Sequence, residues 1–536
     1  MMSLTSRLRE FIRVRFLRQA INQRIRHMEY GVERHAPIPD KQAIIFFNAS
    51  TRLAGLSLNA AFSLLSAWSL RLQGVPIVHF VCGRGLSKCV LGTGRRDVDA
   101  PMPCNHCIHQ SQVLYQHSDV RWFEFKPDHA LDEVIMDLNI EELKSFEYTG
   151  VPLGALALPS VRWTLRRHHL NSDTATKTVY HHYIRSAWYV KKQFGQLLDE
   201  VKPQSIVVFN GMQYPEATAR WVAEQRDFPV YSHEVGIGAF SAFFTRGEAT
   251  AYPVDIPEDF QLSKTQNEKL DAYLSKRFKG DFSMAGIQFW PEMSGLDMDF
   301  LKLREKFKQV VPVFTNVIFD TSQPHANVVF PHMFAWLDSV LDIAKGHPET
   351  LFVIRAHPDE SRPGKVSQES VADWAKAHEL GQIPNVVFIG SNTFFSSYEM
   401  IQRAKFIMIY NSTIGMEASI MGTPVLCAGK ARFTQLPTVF FPLTQDAFLE
   451  QAEIFLKAKS IDVPQEQSIN ARRFLYYQLY RTSLPFGYFL EEDNIWNGFV
   501  KLRRFDWKKL LPANSPVMQV INDGLLNNAD FLLKEE

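Results

Sequence analysis

Two stretches of this chain end apolar runs with groups suited to holding a phosphate. LFVIRAHPDE (351–360) supplies Arg355 and His357, the latter fixed by Pro358. FIMIYNSTIGMEASIMGTPVL (406–426) supplies Asn411, Ser412 and Thr413, then a helical pattern carrying Glu417, then a Gly422-Thr423-Pro424 turn. A helix start offers free backbone N–H groups and partial positive charge to an oxyanion. Ser412 and Thr413 sit at such a start, so their hydroxyls and amides can converge on one phosphate. Glu417 lies four residues after Thr413, on the same helical face. A carboxylate there can accept hydrogen bonds from a ribose diol. His357 can donate to a phosphate or to the bridging oxygen of a leaving group, and Arg355 and Lys430 can add charge. Thr315 and Asn316 end another apolar run and can close the same pocket.

These groups need a sheet to bring them together. Val310–Phe314, Leu351–Ile354, Val386–Ile389, Phe406–Ile409 and Pro424–Cys427 read as strands, with helical patterns between them. The same alternation occurs earlier, through Ala43–Phe47, Pro76–Val81, Ser205–Phe209 and Pro229–Ser232. Strand–helix alternation predicts parallel sheets covered by helices, an α/β class. Ligands of such sheets sit beyond the carboxyl ends of the strands, where the motifs fall. The expected organisation is a basic helix (1–35), a first Rossmann-like domain (36–255), a linker region (256–305), a second Rossmann-like domain (306–465) and a helical tail (466–536) that crosses back over the first domain.

A partner for the phosphate site is expected from the first domain. Tyr231-Ser232-His233-Glu234-Val235-Gly236 ends a strand and leads into glycines. Glu234, or alternatively His233, is placed to take a proton from an acceptor hydroxyl. Asn210-Gly211, and Ser50, Thr51 and Arg52, are expected to line the same cleft.

VFTNVIFD (313–320), VIRAHPDE (353–360) and IYNSTIGMEASIMGTPVL (409–426) resemble the capsule polysaccharide biosynthesis family of GT-B glycosyltransferases, related to bacterial Kdo and sialyl transferases. The resemblance covers about 310–430 well and the first domain loosely. It implies two Rossmann-like domains facing a central cleft. It implies transfer of a sugar from a nucleotide-activated donor to a capsular or lipopolysaccharide-type acceptor. It also implies contact of His357, Ser412 and Thr413 with donor phosphate, and no metal at the donor site. Three other readings stay open: a sugar-nucleotide 2-epimerase, a CDP-alditol phosphotransferase, and a non-catalytic assembly protein.

Cys82, Cys89, Cys104 and Cys107 fall within 26 residues, with glycines between them. Four thiols brought together by turns are a tetrahedral zinc set, with His79, His106 or His109 as substitutes. An iron–sulfur cluster and metal-free thiols are the alternatives. A zinc here would staple a loop (79–109) rather than do chemistry.

The chain has 536 residues, 46% hydrophobic and 21% charged, with a formal net charge of +1. That length predicts two or three domains. The charge gives no global field for nucleic acid. The sequence shows no signal-peptide pattern and no span-length apolar run, so a cytoplasmic location with reduced thiols is expected. The first 35 residues differ: they hold eight Arg and three Glu. Leu4, Leu8, Ile12 and Phe16, then Leu17, Ile21, Ile25 and Met28, recur at helical spacing. This basic amphipathic pattern suits either the inner face of an anionic membrane or packing on the chain's own domain.

Overall fold

The computed structural model describes the chain except residues 1–3, 50–54, 95–96, 279–282, 285–286, 289–293, 394, 494, 496–497 and 536, and the side chains of 4–10, 283–284 and 287–288. Ser50, Thr51 and Arg52 thus lie outside the described residues.

Continuous β-branched and aromatic runs make strands that can be buried on both faces, which a parallel sheet requires. Gln309–Phe314 and Thr350–Arg355 are buried at every position. They belong to a five-stranded, all-parallel sheet ordered Val386–Ile389, Thr350–Arg355, Gln309–Phe314, Ile407–Ile409, Val425–Cys427. A seven-stranded sheet runs Leu484–Pro485, Ser241–Arg246, Val230–Val235, Ser205–Phe209, Ile44–Asn48, Ile77–Cys82, Asp119–Phe123. Its last five strands in that order are parallel; the Ser241–Arg246 and Leu484–Pro485 strands are antiparallel additions.

Within each sheet the first strand lies centrally and the chain winds outward in both directions. The order therefore reverses beside Gln309–Phe314 in one sheet and beside Ile44–Asn48 in the other. A reversal leaves a crevice at the carboxyl ends, because adjacent loops leave to opposite faces. The two crevices face one cavity, lined from the first unit by Asn48, Asn210 and Glu234, and from the second by Asn316 and Asn411.

The region read as a linker holds a 15-residue helix, Lys264–Phe278, whose Leu270 and Leu274 are buried in the second unit's core. Its sequence shows few apolar residues because only one narrow stripe is covered. After the helix Gln465–Tyr476 the tail returns to the first unit. Leu484–Pro485 joins the first sheet, and Asn522 of the helix Pro516–Asn527 donates to Ser69 Oγ at 2.8 Å.

Candidate active site between the two sheets

The cavity between the units has a volume of about 1050 Å³. One wall comes from the strand ends of the first unit. Glu234 closes the Val230–Val235 strand, and its Oε2 accepts from Asn210 Nδ2 at 2.9 Å. Its Oε1 accepts from the Val235 N–H at 2.8 Å and from Asn59 Nδ2 at 3.4 Å. Asn210 reaches it from a turn with left-handed backbone at Asn210 (φ 62°) and Gly211 (φ 80°). The donors holding Glu234 are neutral. Glu234 opens onto the cavity, but the cleft encloses it, and that desolvation pushes its carboxyl above the usual range. The three hydrogen bonds, and Lys365 from the other wall, oppose the rise.

His233 also touches the cavity lining but is almost fully buried. Strand alternation sends its ring among Phe62, Phe209 and Phe244, and burial pushes it down to about 3. An imidazole that resists a proton so strongly is a poor base.

The other wall comes from the second unit. His357 precedes a short 3₁₀ turn, Pro358–Ser361, with proline in its first position. Its Nδ1 accepts the Asp359 N–H at 3.1 Å. That bond fixes the tautomer, leaving Nε2 as the N–H that can donate. Desolvation lowers the His357 pKa, so the ring is held neutral. Asn316 Nδ2 donates to Asn411 Oδ1 at 2.7 Å, tying together the ends of the two strands beside the reversal. Ser412, Thr413 and Lys430 line the cavity alongside them. The helix Ile414–Ile420 has only seven residues, and Thr413 makes no side-chain capping bond to it. The hydroxyls, rather than a long helix dipole, are what this turn offers an anion.

Three expected donor-site residues are used otherwise. Thr315 Oγ1 donates to the Arg355 carbonyl at 2.9 Å, behind the wall. Arg355 turns away, donating through Nη1 to the Phe395 carbonyl at 2.6 Å, and burial pushes it down to about 10. Thr315 follows one fully buried strand and Arg355 ends another. Glu417 does line the cavity, but both its oxygens are taken. Oε1 accepts from Arg277 Nε at 2.9 Å, and Oε2 accepts from the Tyr398 hydroxyl at 2.7 Å. Arg277 comes from the helix that sequence reading placed in a linker, so its approach had no local signal.

Other cavity residues went unread. Glu216 is buried in the first turn of the helix Tyr214–Glu224, and burial pushes its carboxyl up to about 8. Asp320, Arg362 and Lys365 enter from loops. Glu248 and His325 pair across the units at 2.7 Å, with Thr250 Oγ1 at 3.0 Å from the same ring nitrogen. Loop residues of this kind carry no periodicity that would flag them.

The cysteines occupy one loop of the first unit. The Gly85 N–H donates to Cys82 Sγ at 3.2 Å, and the Gly92 N–H to Cys89 Sγ at 3.1 Å. Cys104 and Cys107 start the helix Cys104–Leu114. No disulfide joins these four thiols, and all four residues are half-buried. Burial pushes those of Cys82 and Cys89 up to about 12. Among the described residues no group of three or more His, Cys, Asp or Glu side chains is arranged to hold a metal ion. Among them, too, no helix is long and apolar enough to cross a membrane.

Comparison with known proteins adds to this geometry. FixF of Sinorhizobium fredii (strain NBRC 101917 / NGR234) is 32% identical over 97 residues, which is 18% of this chain. The chain spans about a fifth (20%) of the length of that curated relative. KpsC, the beta Kdo 2,4 transferase of Thermosulfurimonas dismutans, overlays at a TM-score of 0.35 with 10% identity, covering 52% of this chain and 80% of KpsC. The UDP-GlcNAc 2-epimerase of Neisseria meningitidis overlays at 0.25 with 13% identity, covering 81% and 98%. Overlays this loose fix neither reaction nor substrate. Residues 292–451 match the family described as capsule polysaccharide biosynthesis protein. Over these 160 of its 536 residues, which include Asn316, His357, Ser412, Thr413 and Glu417, the chain is similar to that family.

Proposed function

We propose that this protein is a glycosyltransferase that moves a sugar from a nucleotide-activated donor to a glycan or glycolipid acceptor of capsule or lipopolysaccharide type, on the cytoplasmic side of the membrane. One observation carries the reading. A carboxylate held by neutral donors, Glu234, shares a cavity with a neutral, tautomer-fixed His357 and the Ser412 and Thr413 hydroxyls on the other wall. The capsule-family match over 292–451 supports it.

In this reading the donor phosphates lie against Ser412, Thr413, His357 and Lys430. Glu234 takes the proton of the acceptor hydroxyl as its oxygen bonds to the anomeric carbon. The bond from that carbon to the phosphate oxygen breaks, and the electron pair stays on the nucleotide. The His357 Nε2–H and the hydroxyls meet that developing charge, which is the term preorganised donors supply best. No cation is assigned a step. Arg277 and Tyr398 each hold one oxygen of Glu417, so a ribose hydroxyl would share those oxygens with them.

A second reading has one observation behind it. Glu216 adds another cavity carboxyl, protonated near neutral pH, and a 2-epimerase needs several acid/base groups around one sugar. The loop 79–109 is proposed to hold structural zinc once its four thiols draw together. The metal content of purified protein, against Cys104→Ser/Cys107→Ser, tests that.

Thermal shift against CMP, CDP, UDP, GDP and dTDP tests the donor site, with His357→Ala in parallel. One nucleotide should raise the melting temperature, and the variant should bind it about tenfold or more weakly. Release of that nucleotide from its sugar only when acceptor glycan is present distinguishes transfer from epimerisation. Absence of any shift would overturn the donor-site assignment.

A further inference from the structure

The helix Leu4–His35 carries two apolar stripes that face opposite ways. Ile21, Ile25, Met28 and Val32 are buried in the core of the first unit. Arg24 fastens this half to the tail, donating to the Leu502 carbonyl at 2.9 Å and to Glu491 at 3.3 Å. Glu29 is buried here, accepting from Ser118 Oγ at 3.2 Å.

The other stripe is uncovered. Phe11, Ile12 and Phe16 are exposed by 64%, 44% and 68%. Nine residues separate Ile12 from Ile21, and nine separate Phe16 from Ile25. At about 3.6 residues per turn that is about two and a half turns, so each pair points to opposite sides. Tyr30 lies eighteen residues beyond Ile12, a whole number of turns, and is 54% exposed. Arg15 and Arg26 are exposed on this outward side. Residues 11–35 hold six Arg and two Glu, one of which is the buried Glu29.

We propose that this outward face docks on a bilayer bearing anionic headgroups. Phe11, Ile12 and Phe16 would enter the acyl boundary while the arginines meet lipid phosphate. Charge selects the occupant. A second copy would set one Arg-rich face against another, whereas an anionic surface complements it. The inference is independent of the reaction in the cleft, and its test reads binding rather than turnover.

The full chain is sedimented with phosphatidylcholine vesicles, with and without phosphatidylglycerol. It should pellet with the anionic vesicles only and be released by salt. Phe11→Ser/Phe16→Ser should lower the partition about tenfold or more. Arg15→Glu should lower it about fivefold. All three sites are exposed, so the variants should melt like the parent. Failure to pellet with anionic vesicles, or equal partition of the variants, would overturn the proposal. So would a dimer, seen by sedimentation velocity, that Phe11→Ser/Phe16→Ser dissolves without any vesicle binding; that outcome would assign the face to a second copy.

Discussion

Glu234 and Glu417 face the same cavity from opposite walls, and their neighbours give them opposite characters. Glu234 accepts from two amides and a backbone N–H, and among the described residues no cation is in hydrogen-bond contact with it. Glu417 is bound to the Arg277 guanidinium and the Tyr398 hydroxyl. A carboxylate held by neutral donors can still take a proton; one neutralised by an adjacent arginine is a structural anion. Residue type and strand-end position look alike for both, so only the company each side chain keeps separates base from strut.

The largest effect should come from Glu234→Gln. It keeps the shape and removes the proton acceptor, so transfer should fall about 10²- to 10⁴-fold while nucleotide binding persists. An equal loss from Glu417→Gln at unchanged stability would break the contrast. Next, Arg277→Met strands the Glu417 charge in a buried site. Urea unfolding should show a loss of about 3–5 kcal/mol, most of it recovered in Arg277→Met/Glu417→Gln.

Glu216 sharpens the comparison on the first wall, because among the described residues no partner charge offsets its burial. Its folded pKa, about 8, lies above its ordinary value. The stability this gives is fully present below the unfolded pKa. It is lost as pH rises through the folded one. Parent protein should therefore weaken from mildly acidic pH up to about pH 8. Glu216→Gln should flatten that slope in denaturation curves taken across the window. The smallest effect belongs to Asn59→Ala. Loss of its 3.4 Å bond leaves ionised Glu234 less well held, so the acidic limb of the pH–rate profile should move to higher pH.

Much of the second unit's cavity wall was legible because it lies at strand ends. The runs before Asn316, His357 and Asn411 are apolar enough to be strands, and parallel strands deliver their ends to one edge. The errors came from side-chain direction. Thr315 and Arg355 sit one or two residues from cavity-lining positions, yet their side chains bond behind the wall. For Thr315 a period of two turns a slip of one residue into the opposite face, whereas His357 lies past the end of the strand that Arg355 closes, where that period no longer holds. His233, one residue before Glu234, turns its ring among Phe62, Phe209 and Phe244 by the same rule as Thr315. The amphipathic helix was legible as a pattern, but its two sets of apolar residues looked like one interface.

The sequence by itself determined the alternation of strands and helices, the parallel core of each sheet, and the polar groups that end those strands; the antiparallel Ser241–Arg246 and Leu484–Pro485 additions to the first sheet were not read from it. Those follow from local periodicity and propensity, which neighbours in the chain supply. Only the tertiary structure decided which groups share a cavity. Arg277 meets Glu417 across 140 residues, and Asn59 meets Glu234 across 175. Contacts of that span depend on how helices pack over sheets, and no window of sequence contains both partners. The same holds for Ile12 and Ile21: spacing puts them on opposite sides, but only packing shows which side the protein keeps for itself.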